Sequence, residues 1–333
     1  MALFSRRRKP DETPAPESDA QANPAASEPE APPTVVLPDE IIPQVGISVS
    51  TFGRTASAPP VIRPAAEVPP RSETVAGMPD NVVLRAALIA LPEKPENLDV
   101  MNVMRQALQG HLYLRVRGDA RTLVAEGKPL SLAVSTIEDK RFLLAYTGGE
   151  PLQAAVRADG DSGTSALGQP VGVVFANALA GDYAGMILDH ATPDARIVLP
   201  IELIRKAVEE GDPDLTVKNL LSRPRDQKVA VDIADALRRV KLWVAAGPAD
   251  ENGRFGLAEA RTPDGERTLE VFSHPLEVIA MRRGDRPLPL TGTQLHAALG
   301  SDPAITGVVV DPAGPWIKLD REPLLAALAP RDA

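Results

Sequence analysis

Apolar and polar residues follow helix and strand periods along the chain from about residue 80 to its end. In "VMNVMRQAL" (residues 100–108) apolar residues recur at spacings of three and four, which predicts a helix. The segment "GVVVDP" is a short apolar run that ends at a turn-forming Asp-Pro, and "WIKLD" alternates, so both predict strands. The pattern predicts an α/β (α+β) protein in which helices pack on a sheet.

The same order of elements occurs twice. The segment "VMNVMRQALQGHLYL" matches "AVDIADALRRVKLWV", and "RFLLAYTGGEPLQAAV" matches "RTLEVFSHPLEVIAM". Each copy is predicted to run helix, helix, strand, strand, strand, helix, helix, strand, strand, helix. The repeats of a solenoid are shorter and more numerous than these two copies, so the pattern does not predict a solenoid. The sequence therefore predicts two tandem domains, 79–211 (the more divergent copy) and 212–330, each with a mixed or antiparallel sheet and packed helices.

Residues 1–78 are rich in Pro, Ala and Glu, and this composition predicts a disordered N-terminal arm. Residues 35–53 form an apolar island within it, where Val45, Ile47 and Val49 alternate with small residues as in a strand. Three alternatives stay open for the island: it packs on the protein's own body, adds a strand to another protein, or stays disordered. Ile47, Val49 and Phe52 are its candidate contact residues.

Composition narrows the classes of partner. A net charge of -9 and a pI near 5.1 argue against a nucleic-acid partner, because phosphate binding needs clustered Lys and Arg. The chain has no cysteine, which excludes disulfides and thiolate chemistry. Its start lacks the apolar region of a secretory signal, and no apolar run reaches the length of a membrane span. We expect a cytoplasmic protein.

The second copy carries a familiar pattern. "VFSHPLEVIA", "TGTQLHAAL" and "ITGVVVDPAGPWIKLDREPLLAAL" follow one another in it. This succession resembles the N-terminal domain of the SseB family, named for enhanced serine sensitivity. The first copy is a weaker match, with Asp189-His190 in place of Asp-Pro and Tyr146-Thr147 in place of Phe-Ser. The resemblance implies a bacterial α/β domain that has no established catalytic residues and acts as an accessory protein.

Few residues are candidates for a catalytic, metal-binding or contact site. Asp189 and Asp311 each end an apolar strand at a hairpin, where a carboxylate can bind a cation or hold a catalytic water, but where it also caps its own turn. No two histidines lie three or four residues apart, and no phosphate-binding or dinucleotide motif is present, so the sequence predicts no metal or cofactor. Trp316 follows Gly-Pro in a hairpin and is the residue type enriched in binding hot spots.

The leading hypothesis is a non-enzymatic SseB-like module that binds another protein through its repeats and its arm. The alternative is a small-ligand binder or an enzyme with a site near the Asp189 or Asp311 hairpins. A third possibility is a purely structural tandem, in which one copy covers the exposed sheet of the other.

Overall fold

The fold is given by a computed structural model, which describes residues 67–249, 255–261 and 265–329. Helices and strands are mixed along these ranges, so the predicted α/β class is confirmed. We refer to residues 82–210 as the first half and to residues 216–328 as the second half. The elements of the first half are α1 (Val82–Ile89), α2 (Asn97–Ala107), β1 (His111–Arg117), α3 (Ala120–Ala125), β2 (Val134–Ile137), β3 (Lys140–Tyr146), α4 (Gly149–Asp159), β4 (Thr164–Pro170), α5 (Val171–Ala180), β5 (Gly185–Leu188), β6 (Ile197–Pro200) and α6 (Ile201–Glu210).

The strands of the first half form one mixed sheet in the order β4-β1-β3-β5-β6, and β2 pairs with β3. The pair β3–β5 is parallel, and the other pairs are antiparallel. Side chains of successive strand residues point to opposite faces. Leu112 and Leu114 of β1 therefore enter the large core with residues of α1, α2, α5 and α6, while Tyr113 enters a smaller core with Leu152 of α4.

The second half repeats this arrangement of strands. Its elements are α7 (Thr216–Leu221), α8 (Gln227–Leu237), β7 (Leu242–Ala249), β8 (Phe255–Leu257), β9 (Glu259–Arg261), β10 (Arg267–Val271), α9 (Pro275–Ala280), β11 (Arg286–Leu290), α10 (Gly292–Ser301), β12 (Ile305–Val310), β13 (Ile317–Asp320) and α11 (Arg321–Leu328). The runs β13-β12-β10-β9 and β11-β7-β8 are joined by an antiparallel bridge between Trp243 and Phe272. The order β11-β7-β10-β12-β13 thus follows the order β4-β1-β3-β5-β6.

Two glycines show how closely the halves agree. Gly185 begins β5, and a Cβ atom at this position would collide with the carbonyl oxygen of Leu199 on β6. Gly307 in β12 faces the carbonyl oxygen of Leu319 on β13 in the same way. Only glycine allows the two strands of each pair to approach so closely.

The halves pack against each other through α2 and α9. Leu276 of α9 is fully buried within the large core of the first half, and Ile279 packs against the same core. The apolar outer face of α9 is therefore covered by the first half.

The packed body begins N-terminal to the predicted boundary at residue 79. Ser72 and Thr74 donate side-chain hydrogen bonds to the carboxylate of Asp80, at 2.7 and 2.9 Å. The backbone N–H of Glu150 donates to the Thr74 hydroxyl at 3.1 Å, which ties this stretch to the start of α4. The arm defined from composition therefore includes residues that belong to the body.

Strands β4 and β11 and helix α3 were absent from the sequence prediction, and the middle strand predicted for the second copy is divided into β8 and β9. β4 and β11 lie where the sequence indicated loops between two helices, and α3 follows β1 in the first half. Both strands occupy outer positions of their sheets.

Candidate functional site

Two buried aspartates join the ends of neighbouring parallel strands, one in each half. Asp189 follows β5, and its carboxylate accepts hydrogen bonds from the backbone N–H (2.8 Å) and the hydroxyl (2.5 Å) of Thr147, which follows β3. Asp311 follows β12 and accepts the same two bonds from Ser273, at 2.7 and 2.6 Å. Both aspartates have left-handed backbones, with φ of 48° and 50°, which Asp tolerates better than most residues. These carboxylates therefore connect two strands rather than capping their own turns.

Both carboxylates are buried. Burial raises the pKa of Asp189 to about 6, and the hydrogen bonds from Thr147 oppose part of that shift. Burial also raises the pKa of Asp311 to about 6; nearby Glu277 adds to the shift, and Lys218 opposes it. One donor bonds to each oxygen of each carboxylate, so both groups have a structural role at the strand junctions.

A buried cluster of charges ties the two halves together beside Asp311. Glu277 on α9 accepts a hydrogen bond from Arg105 of α2 at 2.9 Å and forms a close ion pair with Lys218 of α7. Arg105 also donates to the backbone carbonyl of Gly314 in the β12–β13 turn at 2.6 Å. Lys218 lies 3.7 Å from the Asp311 carboxylate. The charges compensate one another, which buried ions require.

The corresponding region of the first half is open. A groove of about 260 Å³ lies beside Asp189, between α1, the start of α4 and the β5–β6 turn. In the second half, the cavity beside Lys218 and Ser273 has about 10 Å³, which is room for about one water molecule. The groove is lined by Arg85, Ile89, Pro151, Asp189, Thr192, Pro193, Asp194 and Ala195.

β4 is an edge strand whose outer side is unpaired in the described part of the chain. It pairs with β1 over residues 164–170, and no described strand lies beyond it. At the end of this ladder the N–H of Val171 donates to the carbonyl of Gly110. Every second residue of an antiparallel strand bonds to a given neighbour. The odd-numbered residues therefore face β1, and even-numbered residues such as Ala166 and Gly168 direct their N–H and C=O groups outward.

β11 holds the same place in the second half, at the edge beside β7. Pro289 pairs with Trp243 of β7, and Pro287 lies two residues before it on the same strand. Residues two apart in a strand have the same orientation, so both prolines direct the backbone nitrogen away from the sheet. Prolines on an edge strand prevent pairing with another strand. β4 has neither a proline nor a charged residue from Thr164 to Gln169, and its one proline, Pro170, is its last residue.

Of the predicted contact residues, Trp316, Asp189 and Asp311 belong to the described residues and none of them is part of β4. Trp316 is half-buried in the β12–β13 turn, and its carbonyl accepts a hydrogen bond from Arg225 at 3.2 Å. Ile47, Val49 and Phe52 lie outside the described residues. The structure brings Asp189 and Asp311 into equivalent positions but not into one site. Sequence reasoning missed β4, although the absence of charge from Thr164 to Gln169 was visible.

Within residues 67–249, 255–261 and 265–329, no group of three or more His, Asp and Glu side chains has an arrangement that could hold a metal ion. No helix in these ranges has the length and apolar character needed to cross a membrane.

One family model matches the chain. Residues 216–325 match the SseB protein N-terminal domain, so the second half is similar to that domain. This agrees with the resemblance that the sequence patterns carry there, over about a third of the chain. Among curated proteins and solved structures, none matches the chain.

Proposed function

We propose that this protein is an accessory binding module of the bacterial cytoplasm, built from two SseB-like units, that takes up an extended segment of another protein along β4. The observation that carries the proposal is the difference between the two edge strands. Proline removes two outward donors from within β11, whereas β4 has a proline only at its last residue, Pro170, and keeps the outward N–H groups of Ala166 and Gly168. An open edge of this kind supports recognition by strand addition, in which main-chain hydrogen bonds supply much of the affinity.

The proposal includes residues 79–211 as a divergent second copy of the SseB-like unit. Three features support this: the common order of the strands, the Asp–Thr and Asp–Ser strand junctions, and the glycines at equivalent positions in β5 and β12. Duplication followed by divergence accounts for one unit with a closed edge and one with an open edge.

The surroundings of β4 favour an uncharged partner with apolar side chains on one face. Leu167 pairs with Leu114, so its side chain points to the face of the sheet that α5 covers. Val173, in the first turn of α5, is 44% exposed. A strand added beside β4 would cover Leu167 and Val173 with every second side chain.

A peptide selection tests the proposal. Unstructured ten-residue peptides would be selected on the full chain, and their dissociation constants would then be measured on Ala166→Pro and Ala166→Val. Proline removes one outward N–H, whereas valine keeps it and favours the strand. We expect selected peptides to bind Ala166→Pro about tenfold more weakly, since a hydrogen bond contributes about 1 kcal/mol and the proline ring also obstructs the added strand.

The comparison between the two variants decides the outcome. Equal thermal stability of Ala166→Pro and Ala166→Val would show that the difference in binding comes from the edge. A set of peptides that binds both variants equally would refute strand addition at β4.

A second candidate function has one observation in its favour, the groove beside Asp189. In this alternative a small ligand occupies the groove in the first half, whereas Asp311 is fully buried and lines neither cavity. A thermal-shift screen of metals, nucleotides and amino acids would test it. A ligand that stabilises the wild type but not Asp189→Asn would support the alternative, and a ligand that stabilises both equally would exclude this site.

A further inference from the structure

We infer that residues 45–52 of the chain's own arm add to β4 as a strand in the same molecule and compete with a partner for this edge. The inference rests on the proposed function, because it needs the outer side of β4 to accept a strand. It gives the apolar island of the arm a specific place on the body.

The sequence of the island suits this edge. Val45, Ile47 and Val49 alternate with Gly46 and Ser48, so an extended chain has one apolar face. That face can lie over Leu167 and the exposed Val173 on the α5 side of the sheet. Neither the stretch 44–52 nor the stretch 164–169 carries a charge, so no ionic repulsion opposes their pairing.

The described chain passes close to β4 on its way from the arm. The carbonyl of Pro79 accepts a hydrogen bond from the Tyr113 hydroxyl at 3.0 Å. The ring of Tyr113 in turn lies against Gly168, where an added Cβ would be 3.0 Å from the ring. Pro79 and the edge strand are thus separated by a single side chain.

The linker is long enough for the island to reach the edge. About 14 residues connect Phe52 to Glu67, and an extended chain of this length spans up to about 45–50 Å. A linker of this length gives an effective concentration in roughly the millimolar range. Even a weak strand pairing would then be occupied for much of the time, and a partner of higher affinity would displace it.

Cysteine cross-linking tests the inference directly, because the natural chain has no cysteine. Leu167→Cys would be combined in turn with Val45→Cys, Ile47→Cys and Val49→Cys, which cover three registers on one face. The matched control pairs Ile47→Cys with Glu93→Cys, an exposed position between α1 and α2. If Leu167→Cys lowers thermal stability, Gln169→Cys on the same face replaces it.

We expect at least one Leu167→Cys pair to form an intramolecular disulfide about tenfold faster than the control, as an effective concentration in the millimolar range implies. Adding Ala166→Pro should abolish this advantage. Rates equal to the control in all three pairs, or disulfide-linked dimers formed in preference to the intramolecular product, would overturn the inference.

The two proposals can fail separately. If no pair cross-links but selected peptides still distinguish Ala166→Pro from Ala166→Val, the edge binds a partner and the arm does not cover it. If neither experiment responds to Ala166→Pro, strand addition at β4 is wrong and the inference falls with it.

Discussion

Gly168 in β4 and Pro289 in β11 occupy equivalent positions in two edge strands. Each pairs with an aromatic residue of the neighbouring strand, Tyr113 or Trp243. Glycine leaves an N–H that points away from the sheet, and proline removes it. Among the described residues, the edge strand of the first half therefore has no neighbour on its outer side, and the edge strand of the second half is closed to pairing by its prolines.

Opening the second edge should make the protein self-associate. In the variant Pro287→Ala/Pro289→Ala, β11 regains two outward N–H groups and loses its protection against pairing. We expect a concentration-dependent increase in mass in sedimentation velocity. Pro193→Ala, in the β5–β6 turn, is the matched control and should leave the mass unchanged; no difference between these variants would argue against the edge interpretation.

The wild type should lose stability relative to Asp189→Asn as the pH rises from about 4 to above 6. The folded state raises the pKa of Asp189 from 3.8 to about 6, so it favours the protonated carboxyl. This contribution is fully present below the unfolded pKa and is lost as the pH rises through about 6. Asparagine cannot ionise and tolerates the left-handed backbone.

The expected change across this window is about 2–3 kcal/mol, since one pKa unit corresponds to about 1.4 kcal/mol. Urea unfolding of both proteins at several pH values would measure it. Burial lowers the pKa of His274 to about 4, which makes stability rise with pH. This contribution is the same in both proteins, so it cancels in the difference between them. A difference that is constant or rises with pH would contradict the account.

The buried charge cluster predicts unequal effects for two arginines that bridge the halves. Arg105→Met leaves Glu277 with Lys218 alone and removes the shorter of two hydrogen bonds to the Gly314 carbonyl, the other coming from Gln106, so it should cost about 3 kcal/mol. Arg282→Met removes an exposed pair with Asp99 and should cost about 0.5 kcal/mol or less. Urea denaturation compares them, and equal losses would show that the cluster does not hold the halves together.

The close strand approaches predict a matched pair of glycine effects. Gly185→Ala and Gly307→Ala each place a Cβ against a backbone carbonyl oxygen, and each should lose about 1–3 kcal/mol or more. Gly172→Ala on α5 meets no atom within 4 Å and should gain up to about 1 kcal/mol from helix propensity. Thermal unfolding of the three variants checks this, and a neutral Gly185→Ala would mean that β5 and β6 can separate.

The sequence predicted elements that have a clear period and missed those that do not. The helix from Asn97 to Ala107 and the strands that end before Asp189 and Asp311 follow from hydrophobic spacing. β4 combines small residues with Gly168 and ends in Pro170, and β11 contains two prolines, so neither has the β-branched alternation that identifies a strand. Both form because the neighbouring strand supplies hydrogen bonds, which local sequence does not reveal.

The side-chain contacts of the candidate sites also depend on distant residues. Asp189 and Thr147 lie 42 positions apart, and Arg105 and Gly314 lie 209 apart. Sequence reasoning could mark Asp189 and Asp311 as equivalent, but the strand junctions required the parallel pairs β3–β5 and β10–β12. The difference between the two edges became visible only when β4 and β11 were aligned on their neighbours.

Hydrogen exchange at single backbone amides of β4 tests the central claim most directly. The variant Ile47→Asp/Val49→Asp, which removes the apolar face of the island, would be measured alone and with a saturating selected peptide. The account predicts that the peptide slows exchange at Ala166 and Gly168, whose amides point outward, and changes Leu167 little because its amide already bonds to β1. Slowing elsewhere with no change at Ala166 and Gly168 would contradict strand addition at this edge.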